Sequence, residues 1–220
     1  METKQQTEAM IAFMCIAIAV ALFLFNSDRI QKAIEIWNEC LILLNNTDQN
    51  SKDQFISRPP LIYTAIYNAL FGAYRSISDY ISAERYGMKL LVLLSETGDR
   101  KGEASCYGNL GTVFRSLGQY DKAKEYLQKA LVVTTEIGDR KGVAAAYGNL
   151  GTVFKSLGQY DKAKEYLQKA LLIRTEIGDR EGVAADYGNL GTVFESLGQY
   201  DKAKEYLQKA LLIRTEIGDR

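Results

Sequence analysis

The chain has no histidine. That removes Ser-His-Asp and Cys-His nucleophile systems, His-ligated zinc and histidine general bases together. Its two prolines are adjacent, Pro59 and Pro60, so nearly all of the remaining sequence is free to be helical. The three cysteines, Cys15, Cys40 and Cys106, are odd in number and far apart. Without a C-x-x-C pair they suggest neither a disulfide framework nor a thiolate zinc site, and they read as reduced thiols filling small sites. Net charge is also lacking: 27 basic residues balance 27 acidic ones, so no global field favours nucleic acid or an anionic membrane. Paired catalytic carboxylates, a nucleophile beside a base and a nucleotide loop are all missing from the pattern. No cofactor is expected, and no enzymatic activity.

What is present is repetition. Residues 138–177 and 178–217 differ at three positions, Lys141/Glu181, Ala146/Asp186 and Lys155/Glu195, and residues 98–137 differ from 138–177 at seven. A period of forty without insertion is the mark of a stacked repeat architecture. Each unit reads as two helices. The first runs from about Lys101 to Leu117 after an Asp99 N-cap, with Tyr107, Leu110, Phe114 and Leu117 at helical spacing. Gly118 supplies the turn. The second runs from about Asp121 to Ile137, with Ala123, Leu127, Ala130, Leu131 and Val133 or Thr134 facing inward and Glu125–Lys129 as an i,i+4 pair. Gly111, Ala123 and Ala130 fall where the helices must approach closely. Such a pair cannot bury its own faces, so the units must stack into an all-α solenoid of antiparallel helix pairs. The G-x-x-G in YGNLG follows no strand and precedes no Lys-Ser/Thr, so it is not a phosphate loop.

These residues resemble a tetratricopeptide repeat protein: Tyr147, Leu150-Gly151, Phe154, Gly158, Tyr160, Ala163 and Ala170 carry the family pattern. The unit is 40 residues long rather than 34, and Thr175 stands where the family has proline. In that length, and in the EIGDR-x-G-x-A-x-x-YGNLG joint, it is similar to G-protein-signalling modulator (Pins-like) adaptors and to long invertebrate arrays. The resemblance implies a right-handed superhelix and a cytoplasmic interaction scaffold or adaptor. A single solenoid over residues 1–220 would hold repeats at about 14–47, 64–97, 104–137, 144–177 and 184–217, with residues 45–60 as a polar loop. Ala17, Val20, Ala21 and Leu24 would sit on the first helix of the first unit, with Ala33 and Cys40 at the small positions of its second helix. Phe71 stands where the family has glycine, which predicts a splayed hairpin.

Residues 9–25 are apolar and uncharged over seventeen positions. The repeat register makes them a buried or partner-covered helix; the alternative is a membrane anchor, for which 17 residues is about the lower limit. The array stops at Arg220 without a polar capping helix, which suggests a fragment of a longer protein, such as the targeting module of a larger enzyme or signalling protein, or an end open to self-association or to a partner.

The resemblance further implies a concave groove, lined by the first helices, that holds a peptide segment of a protein partner. Its lining positions here are Gly108, Asn109, Thr112 and Arg115; Gly148, Asn149, Thr152 and Lys155; and Gly188, Asn189, Thr192 and Glu195. The asparagines form a ladder that either clamps a peptide backbone or bonds within the array. Arg115, Lys155 and Glu195 vary in sign at one position. Glycine at 108, 148 and 188, where chaperone-binding relatives carry lysine, argues against a carboxylate clamp.

Overall fold

The computed structural model describes residues 2–27, 29–50 and 60–218. Among them are ten helices and no strand, and neighbouring helices pair antiparallel as in tetratricopeptide solenoids. Contacts cluster into two compact units, Met1–Thr97 and Gly98–Arg220.

The second unit comprises α5 (Arg100–Ser116), α6 (Tyr120–Glu136), α7 (Arg140–Ser156), α8 (Tyr160–Glu176), α9 (Arg180–Ser196) and α10 (Tyr200–Gly218). Its boundaries follow from local chemistry. Asp99, Asp139 and Asp179 each accept a hydrogen bond from the backbone N–H three residues on, at 2.9, 2.9 and 3.0 Å, which satisfies one orphan donor of the first turn. Gly118, Gly138, Gly158, Gly178 and Gly198 sit at positive φ, 70–72°, where each helix hands over to the next. Arg100, Arg140 and Arg180 ion-pair with Glu136, Glu176 and Glu216, joining the start of each first helix to the end of its partner.

Close approach within each pair centres on one glycine. A Cβ on Gly111, Gly151 or Gly191 would meet the Cγ of Leu127, Leu167 or Leu207 at 2.5, 2.6 or 2.7 Å. The small residue lets the leucine lie across the opposite helix, and Leu110, Phe114, Ala123, Leu127 and Ala130 are buried around it, as the spacing predicts. Leu131 and Leu117 are only half-buried. Lys129 bonds Glu125 at 2.6 Å and also lies 5.1 Å from the Tyr126 ring centroid.

The first unit comprises α1 (Glu2–Asn26), α2 (Ile30–Asn50), α3 (Pro60–Ser76) and α4 (Tyr80–Thr97). Helix α2 continues to Asn50, so residues 45–50, expected as the start of a polar loop, are helical; Asn45 takes part in packing, accepting from Tyr63 Oη at 3.3 Å. Residues 51–59 lie outside the described residues. Pro60 opens α3, where a missing N–H costs nothing.

Phe71 is buried at the register position of Gly111, and Gly87, forty residues before Leu127, is buried on the facing helix. Large and small have exchanged sides, which removes the reason to expect splaying at Phe71. In the first pair Ala21 and Trp37, both fully buried, supply small and large in the original order.

Helix α1, expected as a buried or partner-covered helix, is buried within the protein along one face only. It packs on α2 along one face, where Ala21 is buried, and leaves Phe13, Ile16, Val20 and Phe23 exposed. A helix apolar all round, flanked mainly by one neighbour, cannot cover every face. Cys15 is exposed on this helix, whereas Cys40 and Cys106 are buried; burial pushes the Cys106 thiol up to about 12. Among the described residues no helix is long and apolar enough to cross a membrane.

Candidate peptide-binding face

Helices α5, α7 and α9 neighbour one another through the second unit, so residues repeating at forty-residue intervals on them share a face. Asn109, Thr112 and Arg115 are half-exposed, as are Asn149, Thr152 and Lys155, and Asn189 and Thr192; Glu195 is exposed. The three-residue spacing keeps each trio on one side of its helix.

The threonines turn inward to their own backbones. Thr112, Thr152 and Thr192 donate to the carbonyls of Asn109, Asn149 and Asn189 at 2.7, 2.7 and 2.8 Å. This occupies the hydroxyl donor and leaves its lone pairs. Thr192 uses one, accepting from Lys155 Nζ at 3.1 Å across the α7–α9 junction. Burial, and then the nearby Arg115 guanidinium, hold the Lys155 ammonium below its ordinary value. The structure thus brings Arg115, Lys155 and Thr192 together. Glu195 stands apart, beside Tyr200 and Lys204 where α9 meets α10.

The asparagine amides are different. Asn109, Asn149 and Asn189 make no side-chain hydrogen bond to the described residues, although each is half-covered. An amide presents both donors and an acceptor, so three at regular intervals can pair with extended backbone.

Gly148 was expected to line this face and instead looks the other way. A Cβ there would lie 3.4 Å from Asp186 Oδ1 and 3.5 Å from Arg174 Nη2, inside the α8–α9 joint. At that joint Arg174 donates to Asp186 Oδ1 at 2.7 Å and to the Gly182 carbonyl at 3.0 Å, with Asp179 at 3.8 Å. Asp186 is fully buried, and its Oδ2 has no hydrogen-bond partner among the described residues. Burial pushes the Asp186 carboxyl up to about 6, against the opposing pull of Arg174. The preceding joint has Thr134 and Ala146 at these two positions. The pair could have been found in the sequence, because Thr134→Arg174 and Ala146→Asp186 are changes of opposite charge on either side of one joint.

Comparison with known proteins then places the chain. The tetratricopeptide repeat family model matches residues 63–134 and 142–216, well over half of the sequence. The chain belongs to the tetratricopeptide repeat family. No curated protein gives a significant match. Among solved structures, this tetratricopeptide chain is similar to BtubC (BKLC) from P. vanneervenii, at 22% identity and TM-score 0.67, covering 97% of this chain and 92% of that one. It is also similar to the putative kinesin light chain of Podosopora anserina with nearly identical TPR-like repeats, at 16% identity and TM-score 0.70, covering 94% and 97%. A third is aspartyl phosphate phosphatase F from Bacillus subtilis, at 18% identity and TM-score 0.82, covering 99% of this chain and 55% of that one. At these identities the likeness is one of fold.

Proposed function

We propose that this protein is a non-catalytic interaction scaffold, a cytoplasmic adaptor that holds an extended peptide segment of a partner protein along the face formed by α5, α7 and α9. The observation that carries the reading is the ladder of Asn109, Asn149 and Asn189, half-covered amides whose side chains make no hydrogen bond among the described residues. A backbone lying across them gains hydrogen bonds without displacing any existing one, and a ladder that reads backbone leaves side-chain choice to the flanking groups. Arg115 and Lys155 make one end of the face cationic and Glu195 makes the other anionic, so charge would set the direction of the bound segment. A Rap protein complexed with Competence and Sporulation Factor is among the similar folds, at 19% identity and TM-score 0.72, and fits such a role.

The test is a peptide selected by display against the full chain and titrated at two ionic strengths. Asn149→Ala should weaken binding by about 1–3 kcal/mol with little salt dependence, because it leaves a covered backbone group unpaired. Lys155→Glu should weaken it by about 1 kcal/mol or less, and more weakly still as salt rises. If both variants keep the parent affinity while remaining folded, the ligand lies elsewhere.

A further inference from the structure

The second unit repeatedly neutralises its cations within the protein. Arg174 has Asp186 at 2.7 Å, Lys129 has Glu125 at 2.6 Å, and Arg140 has Glu176 across its hairpin. Arg115 and Lys155 depart from that habit. Both are half-buried, on the neighbouring helices α5 and α7, and the Arg115 charge bears on Lys155. Among the described residues neither makes an ion pair, and no carboxylate offsets the Arg115 charge at Lys155.

Helix-end chemistry does not account for the two cations. They stand in the last turns of α5 and α7, where positive charge complements the macrodipole. The carbonyls there already have backbone partners. Leu117, Gly118 and Gln119 donate to the Val113, Arg115 and Phe114 carbonyls at 2.8–3.0 Å, and the same three bonds close α7. Lys155 reaches away from its own helix, to Thr192 Oγ1 at 3.1 Å on α9. Glu195 holds the same position in α9 against the macrodipole, so the helix end does not demand a cation there.

The donors left over define the chemistry of a ligand. The Lys155 ammonium has three N–H donors, one of them given to Thr192; the Arg115 guanidinium has five, none engaged among the described residues. The Thr192 hydroxyl cannot donate to a ligand, because its hydrogen goes to the Asn189 carbonyl. What remains is a set of donors carrying two positive charges. A carboxylate balances one of them. A phosphate monoester, with about −1.5 to −2 charges at neutral pH and three acceptor oxygens, balances both.

We propose that Arg115 and Lys155 form a subsite for a phosphate monoester on the bound segment, a phosphoserine or phosphothreonine side chain of the partner. This rests on the reading of the α5, α7 and α9 face as peptide-binding: the asparagines hold backbone, and the two cations read one modified side chain. Phosphorylation of the partner would then switch its docking.

The test immobilises the full chain and measures retention of a degenerate dodecamer peptide library with phosphoserine fixed at its centre. The same library with serine or glutamate there runs beside it. The phosphoserine library should be retained about tenfold better than the serine library or more, with glutamate between them. Arg115→Gln and Lys155→Gln should each remove most of that preference. Lys162→Gln, which takes away a cation over the Phe154 ring on α8, should leave it intact. Equal retention of the three libraries, a preference indifferent to both groove variants, or no retention of any library would overturn the proposal. So would inorganic phosphate that displaces the phosphoserine library at equal concentration, since free phosphate would then be the ligand. Asn149→Ala separates the two readings. If it changes no retention while the phosphoserine preference persists, the subsite stands and the ladder fails. If it abolishes retention of a serine library held as tightly as the phosphoserine one, the ladder stands and the subsite fails.

Discussion

Arg174 and Asp186 meet at 2.7 Å in a joint that the neighbouring repeat closes with Thr134 and Ala146. The protein thus carries an ion pair and its uncharged replacement forty residues apart, in nearly the same surroundings. Desolvating two charges often costs as much as their attraction returns. The double variant Arg174→Thr with Asp186→Ala should lie within about 1 kcal/mol of the parent or above it in unfolding free energy. Arg174→Thr alone should lose about 3–5 kcal/mol at neutral pH, because it strands a buried carboxylate. Denaturant melts of the three chains decide this; a double variant as unstable as the worse single one would show that the pair itself holds the joint.

The same carboxyl sets a pH dependence. Its folded value, about 6, lies above the unfolded value of about 3.9, so the native state holds the proton more tightly. Stability from this group is fully present below about pH 4 and is lost as pH rises through 6. Relative to Asp186→Ala, the parent should lose roughly 2–3 kcal/mol between pH 4 and pH 7. Urea melts of both chains across that range measure it, and a difference that grows in the parent's favour with pH would reverse the sign.

Gly151 lies under Leu167, and Phe71 and Gly87 show the same position solved with the sizes exchanged. Gly151→Leu should cost about 1–3 kcal/mol through overpacking. Lys162→Gln, on the surface, should stay within about 0.5 kcal/mol. Gly151→Phe combined with Leu167→Gly should recover part of what Gly151→Phe loses alone, a coupling of about 0.5–3 kcal/mol. Thermal melts of the set test the register, and equal shifts for Gly151→Leu and Lys162→Gln would contradict it.

Much of this was legible beforehand because it is local. The Asp99 cap, the Gly118 turn, the Glu125–Lys129 pair and the close approach at Gly111 depend on residues near in sequence or one hairpin apart, and the period of forty repeats each of them. What was illegible depends on which neighbour a residue finds. Phe71 reads as a misfit until Gly87 is placed across from it. Gly148 reads as groove lining until Asp186 fills the space beside it. Residues 9–25 read as a covered helix because hydropathy states how much apolar surface exists, not how many neighbours are there to bury it. The asparagine ladder is visible in the sequence as a pattern, whereas the bonds from Thr112, Thr152 and Thr192 to the Asn109, Asn149 and Asn189 carbonyls appear only in the structure.

The Arg174–Asp186 contact also bears on how a chain of nearly identical parts keeps its order while folding. Helices α7 and α9 present almost the same surface, so α6 would accept either, and skipping a hairpin would cost little in apolar packing. Seating α9 on α6 would, however, bury Asp186 against Thr134, with no cation to meet it. One carboxylate thus penalises the out-of-sequence assembly that internal duplication otherwise invites. Deleting residues 140–179 forces that arrangement. The shortened chain should be less stable than the same chain with Thr134→Arg, by an amount denaturant melts can read; equal stability would mean that the order of the repeats is kept by connectivity alone.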